Sequence, residues 1–166
     1  VGVVVASPTS SHNDRVAGYL YALHAAARDA GDPAPTPVVL HQRDDLPGRD
    51  AYARLADEIT ARKLDGVVCY VDYTAVGLIV ELLARGLTVP GDVAVAGFDD
   101  LPVGNLFRVG VTTYAYPGEA MAEQAVRLMK ERTADPARPP VKVVVPGRLV
   151  VRESTAGAGE SRHAGD

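Results

Sequence analysis

Residues 93–97, Val-Ala-Val-Ala-Gly, carry no charge and break directly into Phe98-Asp99-Asp100. A short run that is apolar at every position suits a strand buried on both faces, the environment found in a parallel sheet. Open sheets of that kind bind ligands outside the carboxyl ends of their strands. The break after Gly97 therefore places Phe98, Asp99 and Asp100 where a site would form.

Comparable runs stand at residues 1–6, 38–41 and 66–71. Helical patterns separate them. Val16, Tyr19, Leu20, Leu23 and Ala27 mark a helix over about 14–30, which Gly31 can end. Tyr52, Leu55, Ala56 and Ile59 mark one over about 50–62. A third runs to about 85, with Asp72 suited to cap it and Gly86 to end it. The third helix is apolar nearly all round, which implies burial between layers or use at an interface such as a dimer contact. The alternation predicts an α/β fold, a three-layer Rossmann-like parallel sheet with right-handed crossovers. Beyond it the pattern reads as an irregular loop over 98–110, then a strand over 111–114. A helix follows from Pro117 to about 132. Two β segments, 141–145 and 148–152, flank a Pro-Gly turn, and 156–166 reads as a disordered tail.

With 166 residues, one domain is the default. The formal net charge of −4 argues against this piece gripping nucleic acid directly. Its single cysteine, Cys69, cannot form an intramolecular disulfide and has no metal-ligand spacing, which favours a core position and a cytoplasmic location. No run approaches the roughly 18–20 apolar residues of a membrane span, and no signal peptide is visible. The chain opens inside an apolar run without methionine, as a piece of a longer protein would.

The strand-end loops gather several reactive side chains. Asp72, Asp99 and Asp100 can hold a divalent cation or accept hydrogen bonds from hydroxyls. Asp72 can equally cap a helix, and Asp100 can equally shape a turn. Arg15 falls in the first turn of the expected helix, where a cation opposes the macrodipole, so a donor fork for ligand oxygens explains it better. An exposed arginine paired with Asp14 is the alternative. His12 and His41 follow strands and can face the same crevice. Tyr70, Tyr73, Tyr114 and Tyr116 are candidates to stack on a ligand, or else belong to core and rim. No P-loop, no Gly-x-Gly-x-x-Gly and no nucleophile elbow around Ser7, Ser10 or Ser11 is present. No catalytic residue, metal site or cofactor is expected.

In their order and spacing, several stretches resemble the effector-binding region of LacI/GalR-type bacterial transcription regulators. They are Asp14-Arg15-Val16-Ala17-Gly18-Tyr19, Asp65-Gly66-Val67-Val68 and Asp72-Tyr73-Thr74-Ala75-Val76-Gly77. Further on come Arg85-Gly86-Leu87-Thr88-Val89-Pro90-Gly91-Asp92-Val93 and Ala96-Gly97-Phe98-Asp99-Asp100. The series ends with Val111-Thr112-Thr113, Pro117 and its helix, and Leu149-Val150-Val151-Arg152-Glu153-Ser154.

The resemblance implies a type I periplasmic-binding-protein-like subdomain plus crossing segments. Residues 1–110 would form the C-terminal subdomain. Residues 111–134 would supply a crossing strand and a helix of the other subdomain, and residues 135–155 the returning segments. It implies a small-molecule effector such as a sugar or nucleoside, DNA contact only through an upstream headpiece, no membrane, and a homodimer. Arg15 matches the arginine that grips the effector, and Asp99 the carboxylate that binds its hydroxyls or ring nitrogen. The implied contact set is Arg15, Asp99, Asp72, Leu46, Tyr116, Phe98, Tyr73 and His12. Val71 stands where many sugar-binding members have asparagine, Leu46 near a stacking aromatic, and Tyr116 in place of a commonly polar residue. These departures point to an altered or less polar effector. A secreted solute-binding protein of the same fold, and a metal-dependent phosphoryl-transfer enzyme using the three aspartates, are the alternatives.

Overall fold

Each of the four apolar runs becomes a strand; three strands are shorter than their runs, and the fourth, Ala94–Phe98, is shifted one residue onward. In a computed structural model that describes residues 1–6, 10–43, 45–46 and 48–156, the chain begins with β1 (Gly2–Val5), α1 (Ser10–Ala30), β2 (Val39–His41) and α2 (Gly48–Ala61). It continues through β3 (Gly66–Cys69), α3 (Asp72–Ala84), β4 (Ala94–Phe98) and α4 (Pro102–Leu106). It closes with β5 (Thr112–Ala115), α5 (Gly118–Ala134) and β6 (Arg148–Val150). The strands form one sheet in the order β2-β1-β3-β4-β5-β6. The first five run parallel, and β6 pairs antiparallel with β5 through Thr113 opposite Val150.

Alternation along the strands divides the sheet into two faces. Val4, Val67, Cys69 and Val95 point to one face and pack with Leu55 and Ile59 of α2 and with Leu78, Ile79 and Leu82 of α3. All of these are essentially inaccessible to water. Full burial of each large aliphatic side chain is worth about 1.5–3 kcal/mol, so this layer is the main source of stability. The other face is covered by α1. There β4 shows the cost of incomplete cover, because Ala94, Ala96 and Phe98 remain partly exposed while Val95 is sealed. Tyr19 ties α1 to the sheet's amino edge. Its hydroxyl donates to the Val1 carbonyl at 2.8 Å and accepts the Val38 amide at 3.0 Å.

The end of the described chain is stitched into the core. Ser154 is fully buried. Its Oγ donates to the Val95 carbonyl at 2.5 Å and accepts the Thr112 amide at 2.8 Å, filling the gap where β4 and β5 part.

Several sequence expectations need correction. Helix α1 begins at Ser10, so residues 10–13 are helical rather than loop; residues 7–9 lie outside the described residues. The stretch 98–110 contains the short helix α4, started by Pro102 at its first turn. Asp72 is the first residue of α3 and not its cap; Val71 holds that place without a capping side chain. Pro117 likewise sits at the N-cap of α5. Residues 141–145 do not join the sheet despite four valines, because β6 already occupies the position beside β5. Ala156, expected in a disordered tail, is buried, and its amide donates to the Arg152 carbonyl at 3.1 Å. The rest of that tail lies outside the described residues. The all-round apolar helix α3 is buried as expected along Ala75, Leu78, Ile79 and Leu82, with Val80 left 44% exposed. In contrast, α5 has no buried residue at all.

Candidate functional site

Three elements bring side chains together at the carboxyl edge of the sheet. Arg15 comes from α1, Phe98 is the last residue of β4, and Tyr114 and Tyr116 come from β5 and the residue just past it. The Arg15 guanidinium sits 4.4 Å from the centroid of the Phe98 ring. One of its amino groups donates to the Tyr116 hydroxyl at 2.8 Å. The Phe98 and Tyr114 rings are 5.8 Å apart and tilted, and Tyr114 meets Tyr116 edge-on at 6.0 Å. Because α1 starts at Ser10, Arg15 lies past the first turn, where the macrodipole no longer opposes a cation as the sequence suggested. Among the described residues no carboxylate pairs with it. The cation is held by an aromatic face and a phenol, and Arg15 is half-buried.

This cluster forms one end of a groove of about 1260 Å³ that continues beside α1 past Gly18 and Ala22 to Pro33. Small residues four apart on α1 leave the groove open, and half-buried Val68 and Phe98 form its floor.

Asp99 follows Phe98 directly and is partly exposed. Its backbone has φ of 95°, a left-handed conformation that non-glycine residues rarely adopt. Its amide donates to the Tyr114 carbonyl at 3.0 Å. Among the described residues its carboxylate has no hydrogen-bond or ion-pair partner. Asp100, also left-handed with φ of 51°, is used differently. Its amide reaches Thr113 Oγ1 at 3.2 Å and its carboxylate accepts from Arg152 at 2.6 Å. Arg152 also holds the Val111 carbonyl at 2.9 Å, so Asp100 is fastened to the sheet and shapes the turn.

Asp72 lies beneath this loop rather than in the crevice. Its surface is wholly buried. Oδ2 accepts the Leu101 amide at 2.7 Å, and Oδ1 has no hydrogen-bond partner. Burial pushes its pKa up; the Thr113 hydroxyl and Leu101 amide oppose that, and the charges of Asp99 and Asp100 add to it. The three aspartates do not form a metal cage, and no group of three or more metal-ligating residues occurs among the described residues.

The other expected contacts scatter. The ring of His12 meets Tyr70 edge-on at 5.2 Å. Tyr73 is 60% exposed on the first turn of α3, and Leu46 lies half-buried in the loop after β2. Neither lines the groove beside Arg15. His41 is exposed at the end of β2. Cys69 is buried, and burial pushes its thiol pKa upward, which leaves it unreactive. Arg152 was not expected at the site, and no local pattern marks it, since it acts on a residue 52 positions away. Tyr114 could have been ranked higher, because spacing of two puts it on the same strand face as Tyr116.

Residues 1–155 match the family described as periplasmic binding protein-like domain. Over 164 residues the chain is 32% identical to the HTH-type transcriptional regulator GalR of Salmonella typhimurium, covering 98% of this chain and 46% of that protein. A solved structure of a putative transcriptional regulator of LacI family from Sanguibacter keddieii aligns with a TM-score of 0.78 and 34% identity, over 94% of this chain and 58% of that one. A transcriptional regulator CelR–cellobiose complex aligns with a TM-score of 0.75 and 26% identity, over 92% of this chain and 46% of that one. The chain thus spans about half the length of the relatives it matches.

Proposed function

The chain belongs to the periplasmic binding protein-like domain family, as the effector-binding region of a LacI-type regulator, and on that premise we propose that it senses a sugar-class small molecule for a DNA-binding transcription regulator, most simply a repressor. The observation that carries the reading is the convergence of Arg15, Phe98 and Tyr116, with Asp99 next after Phe98 in the chain and its carboxylate without a partner among the described residues. A guanidinium fork and a carboxylate read hydroxyl pairs, while aromatic rings accept the apolar face of a sugar. The cellobiose held by one structural relative supports the sugar class.

DNA contact belongs to a headpiece elsewhere in the full protein, in keeping with the negative charge of this region. The cytoplasm is the compartment that fits a DNA-binding protein, and no helix among the described residues is long and apolar enough to cross a membrane. Residues 1–110 act as one wall of the effector cleft. Residues 111–134 cross to the other wall, and 135–155 return. The lack of any buried residue in α5 supports that division, since its apolar stripe is left uncovered by the described residues. Effector bound between the walls biases their closure and changes DNA affinity by its differential affinity for the two states, typically about 1–3 kcal/mol.

The test is calorimetric titration of the full-length protein with cellobiose, lactose, galactose and ribose. At least one should bind and shift operator affinity, and Arg15→Ala and Asp99→Ala should each abolish the heat. Binding that survives both substitutions would place the effector elsewhere.

A further inference from the structure

We propose that Asp72 is the positioning residue for Asp99, acting through the turn that joins β4 to α4. Asp72 touches that turn at both ends. Before it stands Gly97, whose missing side chain is the space Asp72 Oδ1 occupies; a β-carbon there would overlap the carboxylate. After it stands Leu101, whose amide Asp72 Oδ2 accepts at 2.7 Å. Between the two, Asp99 and Asp100 both adopt positive φ. Consecutive left-handed non-glycine residues persist only where their surroundings over-determine them.

The anchors are few and each can be named. Asp99 donates to the Tyr114 carbonyl, and Asp100 donates to Thr113 Oγ1, both on β5. The Asp100 carboxylate is held by Arg152. Asp72 is the anchor on the opposite side, from α3. Without it the Leu101 amide loses its acceptor, and the turn can relax toward ordinary φ. That rotation would redirect the Asp99 carboxylate. This functional consequence rests on the effector reading above, whereas the geometry of the anchor does not.

Asp72 is wholly buried, with Oδ1 unpartnered. The groups facing it are Cys69 on β3, Thr113 on β5, and Asp99 and Asp100 in the turn, the last neutralised by Arg152. Burial raises its pKa first and the two loop carboxylates add to that. Taking up a proton replaces a charged acceptor by a neutral one and weakens the hold on Leu101. The anchor is therefore pH-sensitive, a property that a purely space-filling residue lacks.

The experiment is amide NMR on the 166-residue chain, without effector. In the wild type, the Leu101 amide proton should titrate with a midpoint above the ordinary aspartate value of 3.8. Asp72→Asn should abolish the titration yet keep the amide slow to exchange, because the Asn carbonyl still accepts it. Asp72→Ala should speed Leu101 exchange roughly tenfold or more, the scale of a lost charge-assisted bond, with Val67 and Val95 unchanged. Gly97→Ala attacks the same contact from the other side and should also release Leu101. A Leu101 amide that does not titrate in the wild type, or that titrates unchanged in Asp72→Asn, overturns the proposal. So does one that stays protected in Gly97→Ala, and these outcomes hold even if Asp72→Ala fails to fold. No effector is present, so failure here leaves the sugar-binding reading intact. Loss of sugar binding with this titration preserved sinks only that reading.

Discussion

The Arg15 guanidinium lies 4.4 Å from the centre of the Phe98 ring, so a helix residue and a strand-end residue 83 positions later in sequence form one cationic wall. Tyr116 completes it by accepting a hydrogen bond from Arg15 at 2.8 Å. The ring orients the fork and the phenol occupies one of its donors. The direction of the guanidinium is thereby set without any ligand.

Tyr116→Phe removes the hydroxyl and keeps the ring. Arg15 then regains rotational freedom, and sugar affinity of the full-length protein should fall about three- to tenfold, the worth of one modest hydrogen bond. Arg15→Lys keeps the charge over Phe98 but loses the planar fork, and should cost more, on the order of 10–100-fold. Calorimetry on both variants checks the order. Equal affinity for Tyr116→Phe and the wild type would mean that the phenol does not orient Arg15.

Ser154 closes the core between β4 and β5 with two side-chain hydrogen bonds. Ser154→Ala leaves the Thr112 amide and the Val95 carbonyl each short of a buried partner. Unmet buried groups cost about 1–3 kcal/mol each, so the urea midpoint should drop clearly while the fold is retained. Ser154→Cys keeps the size but is a weak donor, and should fall between.

Glu81 supplies a pH dependence of known sign. It is 8% exposed on α3, and the side-chain bonds from Arg85 hold its carboxyl below its usual pKa of 4.5, with Arg49 helping. A depressed folded pKa means that the unfolded chain binds the proton more readily. The stabilisation is complete above 4.5 and is lost as pH falls through the lower folded value. Denaturation midpoints measured from pH 7 down to pH 3 should show a steeper acid fall for the wild type than for Glu81→Gln.

Helices α3 and α4 pack together, and each leaves an apolar side chain in water, Val80 at 44% exposure and Leu106 at 83%. These fit the expectation of a second copy docking here. Val80→Glu combined with Leu106→Glu should turn a full-length dimer into a monomer by light scattering while leaving sugar binding detectable. An unchanged mass would move the dimer contact elsewhere.

Much of the architecture could be read from local pattern. Residues 1–6, 38–41, 66–71 and 93–97 announced buried strands because they are apolar almost throughout (His41 is the exception), a demand that burial on two faces makes. Asp99 and Arg15 stand out in the sequence as candidate site residues from their places after a strand and near the start of a helix, together with the motifs around them. Residues 141–145 misled for the same reason that the strands succeeded. Their composition is strand-like, but whether a β-prone segment pairs depends on whether a sheet edge is free, and β6 had taken the edge beside β5.

The sequence by itself determined the order of strands and helices, the parallel sheet and the chemistry at its carboxyl edge, because periodicity and burial are local signals. Only the tertiary structure decided how the three aspartates divide their work. Asp99 is half-buried with no carboxylate partner among the described residues, Asp100 is drawn to Arg152, and Asp72 is sealed beneath Gly97. The reason is physical: a carboxylate's role is set by its partners and its access to water. Those partners lie 29 and 52 residues away in the chain, beyond the reach of any local pattern.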